Sequence, residues 1–147
     1  MSNEIIIADQ VQDIAPQGKY TAVHTLASFD ISTLEGMAKA HNASLAADEK
    51  VDDHIGDAIN MTGYYIEPRE YVNEQTGEIE PAPHVIVFDD KGITYEGSSK
   101  GLFISLDSIQ KMCDANGRVI SEENPLPIVF AEKKARMGKM FIVKIDV

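Results

Sequence analysis

The sequence predicts one mainly β domain with two helices, and three observations carry the prediction. Phe141, Val143, Ile145 and Val147 alternate with Met140, Ile142, Lys144 and Asp146, which is the period of two of a strand buried mainly on one face. Asp89-Asp-Lys-Gly92 separates a β-rich run ending at Phe88 from an extended piece carrying Tyr95, as a hairpin turn would. Leu102, Leu106, Ile109 and Cys113, with Phe103 beside them, share one face at helical spacing. The 147 residues are about one domain's length, enough to bury a core.

In chain order, residues 1–18 mix a short Ile run with Asp, Gln, Pro and Gly and read as a loosely held arm, leaving 19–147 as the single domain. Lys19 to Phe29 is extended, as a strand or as an approach to the first helix. Ser32-Thr-Leu-Glu35 then offers a capping box, with Ser32 as the cap and Glu35 closing it. Leu34, Met37, Ala38, His41 and Leu45 continue on one apolar face, giving a helix that ends near Ala47. His41 there reads as a histidine at the core edge in preference to a ligand. Asp52-Asp-His-Ile-Gly-Asp57 reads as a solvated acidic linker, since no second histidine stands at a metal-ligand spacing.

Asp57 to Val72 is β-like through Ile59, Met61 and Tyr64-Tyr-Ile66, with Pro68 expected to limit pairing. Asn73 to Gly77 is a turn or longer loop, and Pro81 and Pro83 punctuate the approach to the hairpin. The second helix lies within Ser98 to Ala115 and is closed by Asn116-Gly117. Pro125 to Glu132 and Met140 to Val147 are two more strands, joined by the basic turn Lys133 to Gly138. Three strands, a helix and two strands, preceded by an extra N-terminal helix, is the order of a five-stranded OB-fold-like barrel with its helix between strands 3 and 4.

The net charge is −11, from 24 acidic and 13 basic side chains, which argues against indiscriminate attraction to nucleic acid or anionic membrane. The charge is segregated, however. Lys133, Lys134, Arg136, Lys139 and Lys144 fall in the last 15 positions, while acids crowd Asp48 to Asp57 and Glu67 to Glu80. Cys113 is the only cysteine, so neither an intrachain disulfide nor a multi-thiolate zinc site can form. The apolar run Ile5 to Ala8 is too short for a signal-peptide core or a membrane span, and a soluble cytoplasmic protein is expected.

The segment Phe29-Asp-Ile-Ser-Thr-Leu-Glu-Gly36, followed by a helix reaching His41-Asn42, resembles the N-terminal part of single-stranded-DNA-binding proteins of small tailed phages that replicate by protein priming. The resemblance extends to Phe88-Asp-Asp-Lys-Gly-Ile-Thr-Tyr95 with Ser99-Lys100, and to Met137-Gly-Lys-Met-Phe-Ile-Val-Lys-Ile-Asp-Val147. A longer acidic link at Asp48 to Asp57 and an extended loop at Asn73 to Pro83 depart from the pattern. The resemblance implies coating of displaced single strands during phage DNA replication in the host cytoplasm, through an aromatic and basic face.

Sequence-tolerant binding of single strands needs cations for phosphates and aromatic faces for bases. Tyr64, Tyr65, Tyr71 and Tyr95 stand in or beside predicted strands and are the stacking candidates, with Tyr95 foremost. Phe88, Phe130 and Phe141 sit in apolar runs that favour packing, and Phe141 is also counted among the DNA-binding candidates. Lys133, Lys134, Arg136 and Lys139 are the phosphate candidates, joined by Lys100 in the Gly97-Ser-Ser-Lys-Gly101 loop. That loop lacks the P-loop spacing, and no cofactor is expected. The acidic surface is a candidate docking face for replication proteins, and oligomeric state is not legible.

The alternative is an acidic protein-protein adaptor without nucleic-acid binding, expected if the basic turn lies far from every exposed tyrosine. An enzyme is a distant third, because no nucleophile elbow, paired catalytic carboxylates or metal motif is present.

Overall fold

The structure, a computed structural model, describes residues 23–136 and 138–147, so the expected arm over 1–18 lies outside the described residues. The strands are β1 (Leu26–Ala27), β2 (Glu49–Lys50), β3 (Ala58–Val72), β4 (Ile79–Asp89), β5 (Thr94–Gly97), β6 (Leu126–Ala135) and β7 (Gly138–Ile145). Helix α1 (Leu34–Leu45) precedes β2, and α2 (Lys100–Ala115) joins β5 to β6. The sheet runs β2-β5-β4-β3-β6-β7, with β1 paired to β3, and curls into a half-barrel. Among the described residues the fold is mainly β with two helices, and seven strands stand where five were expected because β1 and β2 add a two-residue pairing each.

The core lies inside the curl, where Tyr64, Ile66, Val85, Val87, Ile128 and Phe130 meet Leu102, Phe103 and Leu106 of α2. Helix α2 therefore packs the face its apolar spacing predicted. It is capped by Ser99, whose Oγ accepts from Gly101 N at 3.2 Å, and it closes before Gly117 in the left-handed region at φ 67°. Asp89 organises the β4–β5 turn as expected, its Oδ1 accepting from Lys91 N at 2.9 Å and Ile93 N at 2.8 Å.

Five expectations need correction. The cap of α1 is Thr33, whose Oγ1 accepts from Gly36 N at 3.0 Å, while Ser32 donates instead to the Asp30 carboxylate through its N–H at 2.8 Å and its hydroxyl at 2.6 Å. Both bonds hold the Asp30 carboxyl below its usual range. The buried face of α1 is Gly36, Ala40 and Ala43, and Leu34, Met37, His41 and Leu45 point to solvent. A Cβ at Gly36 would collide with the Asp30 carbonyl, so small residues let this helix lie close where large ones would not fit.

Pro68 does not stop β3. It stands opposite Pro83, and the two strands continue as a two-stranded ribbon to Val72 and Ile79. Each strand of such a ribbon has a free edge, where a missing N–H leaves no ladder bond unmade. Residues 79–83, expected in a loop, are therefore strand, and the turn before them is built on Asn73, whose Oδ1 accepts from Gln75 N and Thr76 N. The acidic stretch 52–57 is not an open linker. Val51–His54 form a 3-10 turn, and His54 lies between Glu49 at 2.9 Å and Asp57 at 3.0 Å.

Candidate nucleic-acid interface

The β6–β7 hairpin extends the sheet past the start of β3, because β6 pairs with β3 only over Leu126 to Val129 and with β7 as far as Ala135. The basic segment is thus mostly strand, not turn, with Lys133 and Lys134 on β6 and Lys139 on β7. Lys134 stands directly opposite Lys139, and the next pair on that ribbon face is Glu132 opposite Phe141. Like charges facing each other across a ladder repel, and the ion pair from Lys139 Nζ to Glu132, at 3.8 Å, is long and exposed. The face concentrates positive charge beside a half-buried aromatic ring.

Lys100 comes to the same region through α2. Ser99 Oγ accepts from Phe141 N at 3.0 Å and donates to Phe141 O at 3.2 Å, and Ser105 Oγ accepts from Val143 N at 3.1 Å. These hydroxyls seal the outer edge of β7 and place the helix start, with exposed Lys100, against the base of the basic hairpin. Gly101 permits the approach, since a Cβ there would strike the Phe141 carbonyl. The Gly/Ser/Lys loop is consequently a joint between helix and edge strand.

The tyrosines divide. Tyr64 and Tyr95 lie in the core, so the expectation that they stack on bases is corrected: neither ring offers a face to solvent. Tyr64 donates to Gln110, and Tyr95 donates to Asp89 Oδ2 at 2.8 Å while packing edge-on against His54 and Phe130. Burial pushes both phenols well above their ordinary range, helped at Tyr95 by the Asp89 carboxylate. Their neighbours explain the error. Residues 61 to 64 of β3 are buried in succession, and a bulge between Met61 and Gly63 shifts the register just before the tyrosines.

Tyr65 and Tyr71 face outward. Tyr65 is half-buried and donates to Glu67 at 2.9 Å, and Glu67 also accepts from Arg69 Nε at 2.9 Å. Burial alone would raise the Glu67 carboxyl, but the bonds from Arg69 and Tyr65 carry it below its usual range. Tyr71 is 42% exposed near the ribbon tip, opposite Glu80. The register sends this ribbon past the end of β3 opposite to the one the basic hairpin leaves, so Tyr71 and Lys134 are not brought together.

One aromatic and cationic cluster was not foreseen from the sequence. Lys39 Nζ lies 4.4 Å from the Phe29 ring centroid and 4.8 Å from that of Phe88, on the outer sheet face beneath α1. A cavity of about 760 Å³ opens beside it, walled by Phe29, Asp30, Lys39, Glu122 and Glu123. The small-residue spacing of Gly36, Ala40 and Ala43 was the available signal, since a contact face drawn through it places Lys39 at the sheet.

Among the described residues no group of three or more His, Cys, Asp or Glu is arranged to hold a metal ion, and no helix is long and apolar enough to cross a membrane. A family model described as phage single-stranded DNA-binding protein matches residues 21–145. No curated protein and no solved structure matches the chain.

Proposed function

Because the chain belongs to the Phi29-type family of phage single-stranded DNA-binding proteins, we propose that it coats and protects displaced single strands during phage DNA replication, without sequence preference. Phosphates run along Lys134, Lys139 and Arg136, with Lys100 at the base of the hairpin, and bases stack on Phe141, whereas Lys133 stands opposite Met140 on the other ribbon face. Tyr65 and Tyr71 are secondary platforms toward the other ribbon. The carrying observation is the pair Lys134 and Lys139, directly opposed on the face that also holds Phe141. An anion between those lysines relieves their repulsion, and an aromatic on the same face is what a sequence-tolerant site adds to charge.

The pairing order of the long strands, third to second to first to fourth to fifth with a helix after the third, supports an OB-type barrel as the scaffold. The separation of Tyr71 from the basic hairpin would by itself favour a protein-binding module. Phe141 removes that difficulty by supplying an aromatic on the hairpin itself.

Titration of oligo(dT) by mobility shift at two salt concentrations tests the reading. Affinity falls steeply as salt rises, with a slope of about 0.7 per neutralised phosphate for single strands. Equal affinity at both concentrations, or preference for duplex, would overturn it.

A further inference from the structure

The β3–β4 ribbon beyond Pro68 and Pro83 has two unlike faces. Cross-strand partners share a face, so Pro68, Glu70 and Val72 stand with Pro83, Pro81 and Ile79, while Arg69 and Tyr71 stand with Ala82 and Glu80 on the other. The first face continues the core face of the sheet outward for about 13 Å and stays largely apolar. Val72 and Ile79, directly opposed at its tip, are each 64% exposed. Glu70 on the same face and Glu74 and Glu78 in the turn surround this apolar knob with negative charge.

At the other end of the molecule a groove of about 690 Å³ runs between α2 and β7. Its floor is Ile104, Met112, Met140 and Ile142, and Lys133 and Lys144 stand on its rim. Ile104 and Met112 are 42% and 54% exposed, which leaves this much apolar surface in water. No residue of the ribbon lines the groove in the same chain, since the groove follows β7 from the level of Ile59 outward past the start of β3 and the ribbon lies past its other end.

An apolar knob ringed by acids and an apolar groove rimmed by lysines match in both polarity and charge. We propose that the ribbon of one copy seats Val72 and Ile79 in the α2–β7 groove of the next copy, with Glu70, Glu74 and Glu78 meeting Lys133 and Lys144. The occupant is a second copy of this chain because one chain carries both halves of the interface. The interface is heterologous, since knob and groove are different surfaces, so each copy joined through one half keeps the other half for a further copy. The patch is smaller than a stable dimer needs, so the association is weak in free solution and expressed when a strand holds copies side by side. Lys134, Lys139 and Phe141 stay on the opposite ribbon face, open to DNA.

Cysteine cross-linking tests it directly. Copies carrying Ile79→Cys are mixed with copies carrying Ile104→Cys, at high protein concentration without DNA and again on poly(dT). Both positions are exposed, and Cys113 is buried in every copy. The expected result is a covalent heterodimer in the mixture, absent from either variant alone. No heterodimer in either condition overturns the interface, and the groove then serves a foreign protein or another part of the chain.

A second measurement separates this failure from failure of DNA binding. Val72→Glu with Ile79→Glu lowers affinity for long poly(dT) on the order of tenfold, and leaves affinity for an oligomer that fits one copy unchanged. An equal fall on both substrates overturns the interface between copies while leaving the DNA reading intact. If the unsubstituted chain binds neither substrate, the DNA reading fails and the cross-link without DNA still decides the interface.

Discussion

Two hairpins leave the same sheet from opposite ends of β3 and carry opposite charge. The β6–β7 hairpin holds Lys133, Lys134, Arg136 and Lys139 against one acid, Glu132, and two of its lysines face each other. The β3–β4 ribbon holds Glu67, Glu70, Glu74, Glu78 and Glu80 against one cation, Arg69, which is already paired with Glu67. A net charge of −11 therefore says little about either. What decides affinity for a polyanion is the local field, and segregation lets an acidic protein keep one cationic end while the rest of its surface repels nucleic acid.

The largest expected effect is the one that erases this difference. Lys134→Glu with Lys139→Glu lowers oligo(dT) affinity on the order of a hundredfold at low salt and reduces the salt slope by about 0.7 for each phosphate no longer neutralised. Glu70→Lys with Glu78→Lys on the ribbon leaves binding to a one-copy oligomer nearly unchanged. Parallel mobility-shift titrations of the two variants check both statements. If the ribbon variant gains more affinity than the hairpin variant loses, the DNA face lies at the other end of the molecule.

A second contrast lies between fully buried aromatics and Phe141, which is half-buried at the edge of the core. Phe141→Ala costs about 1–3 kcal/mol of oligo(dT) affinity with no change in salt slope, since it removes a stacking face and no charge. Tyr95→Phe leaves affinity alone and lowers unfolding stability by about 1.5–3 kcal/mol, because Asp89 loses the hydroxyl donated to its carboxylate at 2.8 Å. Urea denaturation and oligo(dT) titration of both variants separate the two outcomes. A Tyr95→Phe chain of full stability and weakened DNA binding would return that ring to the interface.

The same contrasts mark how much of the molecule is legible in its sequence. Helix α2 is, because Leu102, Leu106, Ile109 and Cys113 are large and their spacing fixes the buried face. The Asp89 turn is, because an acid and a glycine at those offsets have few other uses. Helix α1 is placed by its sequence but turned to the wrong side, since its contacts are made by Gly36, Ala40 and Ala43, which carry little hydrophobic signal, while Leu34, Met37 and Leu45 advertise a face that points to water. Tyr64 and Tyr65 cannot be assigned from alternation, because residues 61 to 64 are buried in succession and the Met61/Gly63 bulge resets the count. The four hairpin cations are legible as a cluster. Their cross-strand opposition is not, because it depends on register.

The smallest effect concerns how a second acidic cluster, beside β6, manages its own repulsion. Where the basic hairpin leaves its lysines opposed, the stretch from Glu49 to Asp57 places His54 between two carboxylates, and the turn is tied to β6 by the bond from Gly56 N to Phe130 O at 2.8 Å. Hydrogen bonds from the ring to Glu49 and then to Asp57 raise the His54 pKa above 6.5 in the folded chain. The folded state therefore binds this proton more tightly than the unfolded state. The resulting stability is fully present below pH 6.5 and is lost as pH rises through the raised value. His54→Gln removes the proton site, so the melting temperature of the unsubstituted chain falls relative to that of the variant as pH goes from about 6 to 8. Melting curves that run parallel across that window would show that solvent balances the carboxylates instead.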